Sequence, residues 1–311
     1  MNVNNKLLTS KKSHAIMTAE VRRDTMVNFC VNDDIEVIKE LLGFTSAGLA
    51  EAIGVSAETV SRWCSLEQEI SDGNLAELYD FAFRKGIRLN KIKEQLYREE
   101  CREPNHVVLF HGAKSTLEGS LSIDKSRGTN DFGKGFYCGE SMEQSAMFVA
   151  GYPSSSLYIA EFNKSDLSQM QFFVDRDWML TIAYYRGRLK EYEGHPMIQH
   201  LIQRTQGADY IVAPIADNRM FEIIDSFIDG EITDVQCQHC LSATDLGNQY
   251  VFKTEKALRQ LTIKRHCYLC GKEKQFYLTS KQEESKIGND KVKIARKQYR
   301  GQGEYIEDIL K

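Results

Sequence analysis

Long apolar runs, net charge, internal repeats and proline are all scarce in these 311 residues. No stretch of roughly 18 apolar residues occurs, so no helix in the sequence is built to span a membrane. Lysine plus arginine numbers 40 and aspartate plus glutamate 44, a formal net charge of -4. A chain held on a nucleic-acid backbone by its total charge is thereby excluded, and any such contact has to be local. Nothing recurs at a fixed period, which argues against a solenoid or propeller. Proline occurs four times, at Pro104, Pro153, Pro196 and Pro214. Hydrophobic residues at 42% and charged residues at 27% exclude wholesale disorder and collagen-like repeats. Residues 1–29 carry cations but no apolar h-region, so they are expected to form a flexible leader and not a secretory signal.

What is present suggests two domains in the cytoplasm. The eight cysteines, without an export signal, read as reduced thiols or metal ligands rather than a disulfide framework. The pattern changes near Pro104. Before it, apolar residues recur at helical spacing (Ile35, Ile38, Leu41 and Leu42, then Leu75, Leu78, Tyr79, Ala82 and Phe83). After it come short strand-like runs at Val107–Phe110, Leu157–Phe162, Tyr210–Ala213 and Gln249–Phe252.

In the first region, Thr45 can cap a helix from Ser46 to Ile53, Gly54 can end it, and Ser56 can cap a second from Ala57 to Cys64. Leu49, Ala50, Ile53, Val55, Val60 and Trp63 would form the inner face of such a helix-turn-helix. The stretch Leu42–Trp63 resembles the Cro/repressor-like helix-turn-helix family, which implies an all-α bundle over residues 30–98. That resemblance makes Ser56, Thr59 and Arg62 candidate DNA contacts. Charge argues the other way. Cys30–Glu100 holds eight cations against fourteen anions, a balance of -6, whereas DNA affinity needs basic side chains. A DNA operator and a neutralising partner protein both remain open as what the bundle binds.

Three later segments belong together: Phe110-His-Gly112, Asp131-Phe-Gly-Lys-Gly-Phe-Tyr137 and Asn248-Gln-Tyr-Val-Phe252. Singly each reads as ordinary strand or loop, and the glycine loop lacks the spacing and ending of a phosphate-binding loop. In order, they resemble the ADP-ribosyltransferase superfamily, in its diphtheria-toxin and poly(ADP-ribose) polymerase branch with the His, Tyr, Glu signature. Gly133-Lys-Gly-Phe-Tyr137 and the following Ser145-Ala-Met-Phe148 match that branch's motifs in spacing. The closer likeness is to a bacterial family of transferase-like domains marked by Asp-Phe-Gly-Lys-Gly-Phe-Tyr.

The resemblance implies an α+β domain over residues 105–262, two small packed β-sheets with helices, and NAD+ in the cleft between them. His111, Tyr137 and Gln249 would be catalytic. His111, Gly112, Gly135, Tyr137, Ser145 and Phe148 would bind the cofactor, with Arg127 a candidate phosphate contact. Two aromatics, Tyr137 and Phe148, could sandwich the cationic nicotinamide, at roughly 0.5–2 kcal/mol each. Gln249 stands where the branch has glutamate and supplies a dipole instead of a charge. A nearby acid, Asp131, Asp217 or Glu222, would then assist it. ADP-ribose transfer to a protein or nucleic-acid acceptor, hydrolysis of NAD+ and a non-enzymatic regulator with a degenerate NAD+-binding domain all stay open. A toxin or phage-defence effector fits the architecture.

Two C-x-x-C pairs, Cys237/Cys240 and Cys267/Cys270, bracket the Gln249 strand and have the spacing of a structural zinc site. Residues 263–311 read as a basic C-terminal extension; Lys264–Lys311 carries twelve cations against seven anions, +5.

Overall fold

The computed structural model describes residues 29–243 and 246–311. The expected leader at 1–29 lies outside them but for Phe29. Five helices come first: α1 (Val31–Leu42), α2 (Ser46–Ile53), α3 (Ala57–Cys64), α4 (Asp72–Arg84) and α5 (Leu89–Glu100). The capping signals act as the sequence suggests. Thr45 accepts from the Gly48 N–H, Ser56 accepts from the Thr59 N–H, and Gly54 ends α2 at φ 74°, a left-handed conformation that glycine adopts without strain. Leu49, Ala50, Val60 and Trp63 are buried in a core shared with α1, α4 and α5, and Val55 packs at its margin.

After Pro104 the chain enters a mixed sheet. Its elements are β1 (His106–Ala113), β2 (Phe136–Gly139), α6 (Met142–Val149), β3 (Ser156–Asn163), β4 (Gln169–Gln171), α7 (Arg176–Tyr185), α8 (Pro196–Gln206) and β5 (Tyr210–Pro214). There follow α9 (Asn218–Ile228), α10 (Asp234–Ser242), β6 (Asn248–Phe252), α11 (Glu255–Leu258), β7 (Leu261–Cys267), α12 (Gly271–Gln298) and α13 (Ile306–Ile309). The strand order is β4-β5-β6-β2-β1-β3-β7, with β4 and β5 parallel and the other neighbours antiparallel.

The expectation of two packed sheets is corrected here: the strands form one seven-stranded sheet. It has a seam, however. β1 pairs with β3 along its whole length, but meets β2 at one residue pair, Phe110 opposite Gly139. Beyond that pair, β1 and β2 diverge, and the second edge of His111–Ala113 stands outside any ladder.

The sheet's two faces bury different cores, as alternation requires. One side carries Ile211, Ala213 and Val251 under α7, α8, α9 and α10. The other carries Leu109, Phe136, Cys138, Phe162, Tyr210 and Phe252.

The residues of the expected C-terminal extension pack on the rest of the chain. β7 is an edge strand of the sheet, α12 packs on α4, α6 and α10, and Ile306, Ile309 and Leu310 sink into the main core. The four cysteines expected as zinc ligands are spread over three cores. Cys237 and Cys240 lie in the core beside α9 and α13, Cys267 lies in the core beneath α6, and Cys270 lies in the core of the five-helix region. Burial raises all four thiols, Cys267 to about 11. Among the described residues no group of three or more metal-ligating side chains is assembled. None of the described helices is long and apolar enough to cross a membrane.

The helical region is welded to the sheet by buried charge. Arg265 of β7 donates to Asp33 (3.0 Å), Asp34 (3.1 Å) and the Cys30 carbonyl (3.1 Å). Lys93 Nζ sits 2.6 Å from Asp34, which also accepts from the Tyr79 hydroxyl. Asn90 bridges to the Tyr268 carbonyl and to Glu273 of α12, both at 2.9 Å.

Candidate functional site

The seam between β1 and β2 opens into a cavity of about 760 Å³, within the usual range for a ligand site. His111 and Gly112 contribute from the end of β1, Gly135 and Tyr137 from the start of β2, Ser145 and Phe148 from α6, and Gln249 from β6. The segment between β1 and β2 forms another wall, including Lys114, Lys125, Arg127 and Asp131. Every cofactor or catalytic candidate read from the sequence around residues 111, 137 and 249 therefore lines one cavity.

The glycine of the His-Gly pair has a specific steric reason. A Cβ on Gly112 would lie 2.4 Å from the Ser145 carbonyl oxygen and 3.0 Å from Val149, so the bare backbone lets α6 press onto β1. Ser145 itself is buried, and its hydroxyl donates to the Phe110 carbonyl (3.2 Å) and the Ser141 carbonyl (3.0 Å). Ser141 caps α6, accepting from the Gln144 N–H.

His111 Nδ1 lies 2.6 Å from the Tyr137 carbonyl oxygen. A carbonyl only accepts, so Nδ1 carries the proton and Nε2 is the ring's acceptor. Burial lowers the imidazole pKa from its ordinary value, favouring this neutral form, and the ring stacks on Phe136 at 4.4 Å. The side chain thus ties the diverging strands together while presenting an acceptor.

Tyr137 pins the glycine loop. Its hydroxyl donates to the Gly133 carbonyl (2.7 Å) and accepts from the Phe132 N–H (3.2 Å). Burial, reinforced by the Asp131 carboxylate, pushes the phenol well above its usual range, so it stays neutral. Gly133 adopts φ 72°, and a Cβ there would meet the Tyr185 ring at 2.9 Å. From behind, Lys253 donates to the Phe132 carbonyl (2.5 Å) and the Lys134 carbonyl (2.6 Å), and burial lowers its pKa to about 8. The Gly135 N–H is taken by Ser126 at 2.9 Å.

Gln249 is buried, and its Nε2 donates to Asp131 Oδ2 (2.9 Å) and to the Pro214 carbonyl (3.1 Å). Asp131 Oδ1 accepts from Arg186 Nε (2.9 Å) and Nη2 (2.6 Å), and Arg186 reaches the Ala216 carbonyl at 2.6 Å. Of the three acids expected near Gln249, Asp131 is the one in contact. Asp217 instead caps α9 by accepting from the Met220 N–H, and Glu222 is exposed. Arg186 escaped the sequence reading because it lies at the C-cap of a helix that no motif marked, and only the fold brings it to residue 131.

The candidate DNA contacts stand apart from this cavity on α3. Ser56 and Thr59 hydrogen-bond each other at 2.8 Å, and Arg62 pairs with Glu58 one turn back. Arg219 donates to the Ser285 carbonyl of α12 at 3.0 Å.

Residues 107–263 match the family described as "Protein of unknown function (DUF3990)", and the chain belongs to it. No curated protein and no solved structure matches the chain.

Proposed function

We propose that this member of the DUF3990 family binds NAD+ in the cavity at the β1–β2 seam and transfers its ADP-ribose to a macromolecular acceptor. The observation that carries this reading is the convergence of His111, Tyr137, Phe148 and Gln249, from four separate segments, on one cavity. Lys114, Lys125 and Arg127 on the same wall, with Asp131 already paired to Arg186, suit an anionic ligand with a diphosphate.

When bound, NAD+ supplies a glycosidic bond that breaks with its electron pair leaving on nicotinamide. The acceptor's nucleophile then bonds to the ribose C1′ and gives up its proton. For the chain's own residues, Tyr137 and the half-exposed Phe148 offer aromatic faces for the nicotinamide ring. His111 Nε2 accepts from a ribose hydroxyl, and Gln249 Oε1 accepts from another while its dipole faces the developing positive centre. The unladdered edge of β1 at Gly112 offers backbone groups to the carboxamide.

Gln249 in place of a glutamate also favours a second reading, a site that binds NAD+ without turnover. In both readings the five-helix region is a Cro/repressor-like helix-turn-helix module, and its acidic surface favours a protein partner over DNA. The test is incubation with labelled NAD+ and a lysate treated separately with protease or nuclease. Label transfer that disappears in His111→Ala and Tyr137→Ala supports the transferase. NAD+ binding with no transfer and no nicotinamide release rejects it in favour of the binder.

A further inference from the structure

We infer that Asp131, held by Arg186, is the positioning residue for Gln249, fixing its amide so that the carbonyl oxygen faces the cavity. The negative charge that a glutamate would carry at position 249 then sits one side chain further back. The chemistry of this inference rests on the transferase reading above, but its geometry does not.

Both partners of Gln249 Nε2, the Asp131 carboxylate and the Pro214 carbonyl, are acceptors only. The NH2 end of the amide must therefore face them, and the two bonds use both amide protons. That leaves Oε1, with no protein partner among the described residues, on a side chain that lines the cavity. Asp131 has no freedom to turn away. Its other oxygen is gripped by two nitrogens of Arg186, whose guanidinium also binds the Ala216 carbonyl and rests 4.4 Å over the Phe221 ring. The neighbouring Phe132 is fully buried, with its N–H on Tyr137. Arg186, Asp131 and Gln249 thus form a chain fixed at every link. A carboxylate at the back of such a chain polarises the amide and makes Oε1 a stronger acceptor than a free glutamine would offer.

Restoring the glutamate should therefore fail. A carboxylate at 249 would face Asp131 where the 2.9 Å bond now lies, two acceptors without a proton between them. Moving the charge should rescue it. In the double variant Asp131→Asn with Gln249→Glu, the new amide oxygen keeps Arg186 and its NH2 donates to the carboxylate, the Asp131 bond reversed, while the Pro214 carbonyl loses its donor. In Asp131→Asn alone, two NH2 groups confront each other and Gln249 turns its oxygen inward.

The experiment compares Gln249→Glu, Asp131→Asn and the double variant by carbon NMR of the side-chain carboxyls, and by nicotinamide release from NAD+. The ionisable groups around the new carboxyl are Asp131, Arg186 and Tyr137. It should titrate more than about one unit above the ordinary glutamate value in the single variant, and return towards that value in the double. Release should fall at least about tenfold in each single variant and recover in part in the double, where the Pro214 carbonyl still lacks its donor. A glutamate that titrates normally beside Asp131, with Asp131→Asn as active as the native chain, overturns the inference. Coupled titration in a protein that neither binds nor cleaves NAD+ keeps the inference and removes the function. Should a single variant not fold, the Gln249 amide protons of the native protein decide, slow exchange supporting the inference and free exchange refuting it.

Discussion

Replacing Asp34 by alanine should loosen the helical region from the sheet. Asp34 is almost fully buried, and its carboxylate meets Lys93 at 2.6 Å, Arg265 at 3.1 Å and the Tyr79 hydroxyl. Burial alone would raise its pKa, but Lys93 and Arg265 reverse that, and the net shift is downward. A carboxyl depressed in the folded state contributes stability above its unfolded value near 3.8, and that contribution is lost as pH falls through the folded value. Without it, Arg265 keeps Asp33 and the Cys30 carbonyl, but the Lys93 ammonium, itself 10% exposed, loses its 2.6 Å ion-pair partner Asp34. Removing one partner of a buried pair costs about 3–5 kcal/mol. At roughly 2 °C per kcal/mol for a chain of this size, the melting temperature should drop by about 6–10 °C at neutral pH. Asp34→Leu combined with Lys93→Met removes both charges and should recover more than half the loss. Thermal melts followed by circular dichroism, with proteolysis of the α5–β1 link as a second reporter, measure both. A single variant melting within about 2 °C of the native chain would refute the reasoning.

Glu273 is buried and its pKa is raised to about 7, chiefly by burial, so stability should fall as pH rises from about 4.5 to 7. Glu273→Gln, which can still accept from Asn90, should abolish that slope in pH-dependent melts and be the more stable chain at pH 8. Gly112→Ala should lower stability by about 1–3 kcal/mol or more, because its Cβ would meet backbone at 2.4 Å; denaturant titration checks it. His111 has a lowered pKa, so NAD+ affinity should be level from pH 8 to about 6.5 and weaken only in more acid solution, as Nε2 gains a proton; calorimetric titration follows this. Chelators should leave the melting temperature unchanged, since the Cys237/Cys240 pair lies in a different core from Cys267 and from Cys270; a chelator-induced drop of several degrees would contradict this.

Helix caps and strand runs were legible because their causes are local. Thr45, Gly54 and Ser56 set the α2–α3 turn through side chains within three residues of the atoms they bind. The runs at 107–110, 157–162, 210–213 and 249–252 became β1, β3, β5 and β6. β2 and β4 are only four and three residues long, and β7 (Leu261–Cys267) straddles the expected boundary between residues 262 and 263, beyond which cations outnumber anions. Its Arg265 is buried against Asp33 and Asp34, a contact across more than 230 residues that local pattern cannot announce.

The same division runs through the site. Sequence alone determined which residue types lie at 111, 137, 145, 148 and 249, and their order on the chain, because motif spacing is covalent. Tertiary structure decided that the sheet is one with a seam, that the seam is a cavity, and that Asp131 and Arg186 stand behind Gln249. Charge pairs and hydrogen-bond chains join groups that only packing makes neighbours. Their energy depends on the burial that comes with that packing, so residue type and spacing carry no trace of them.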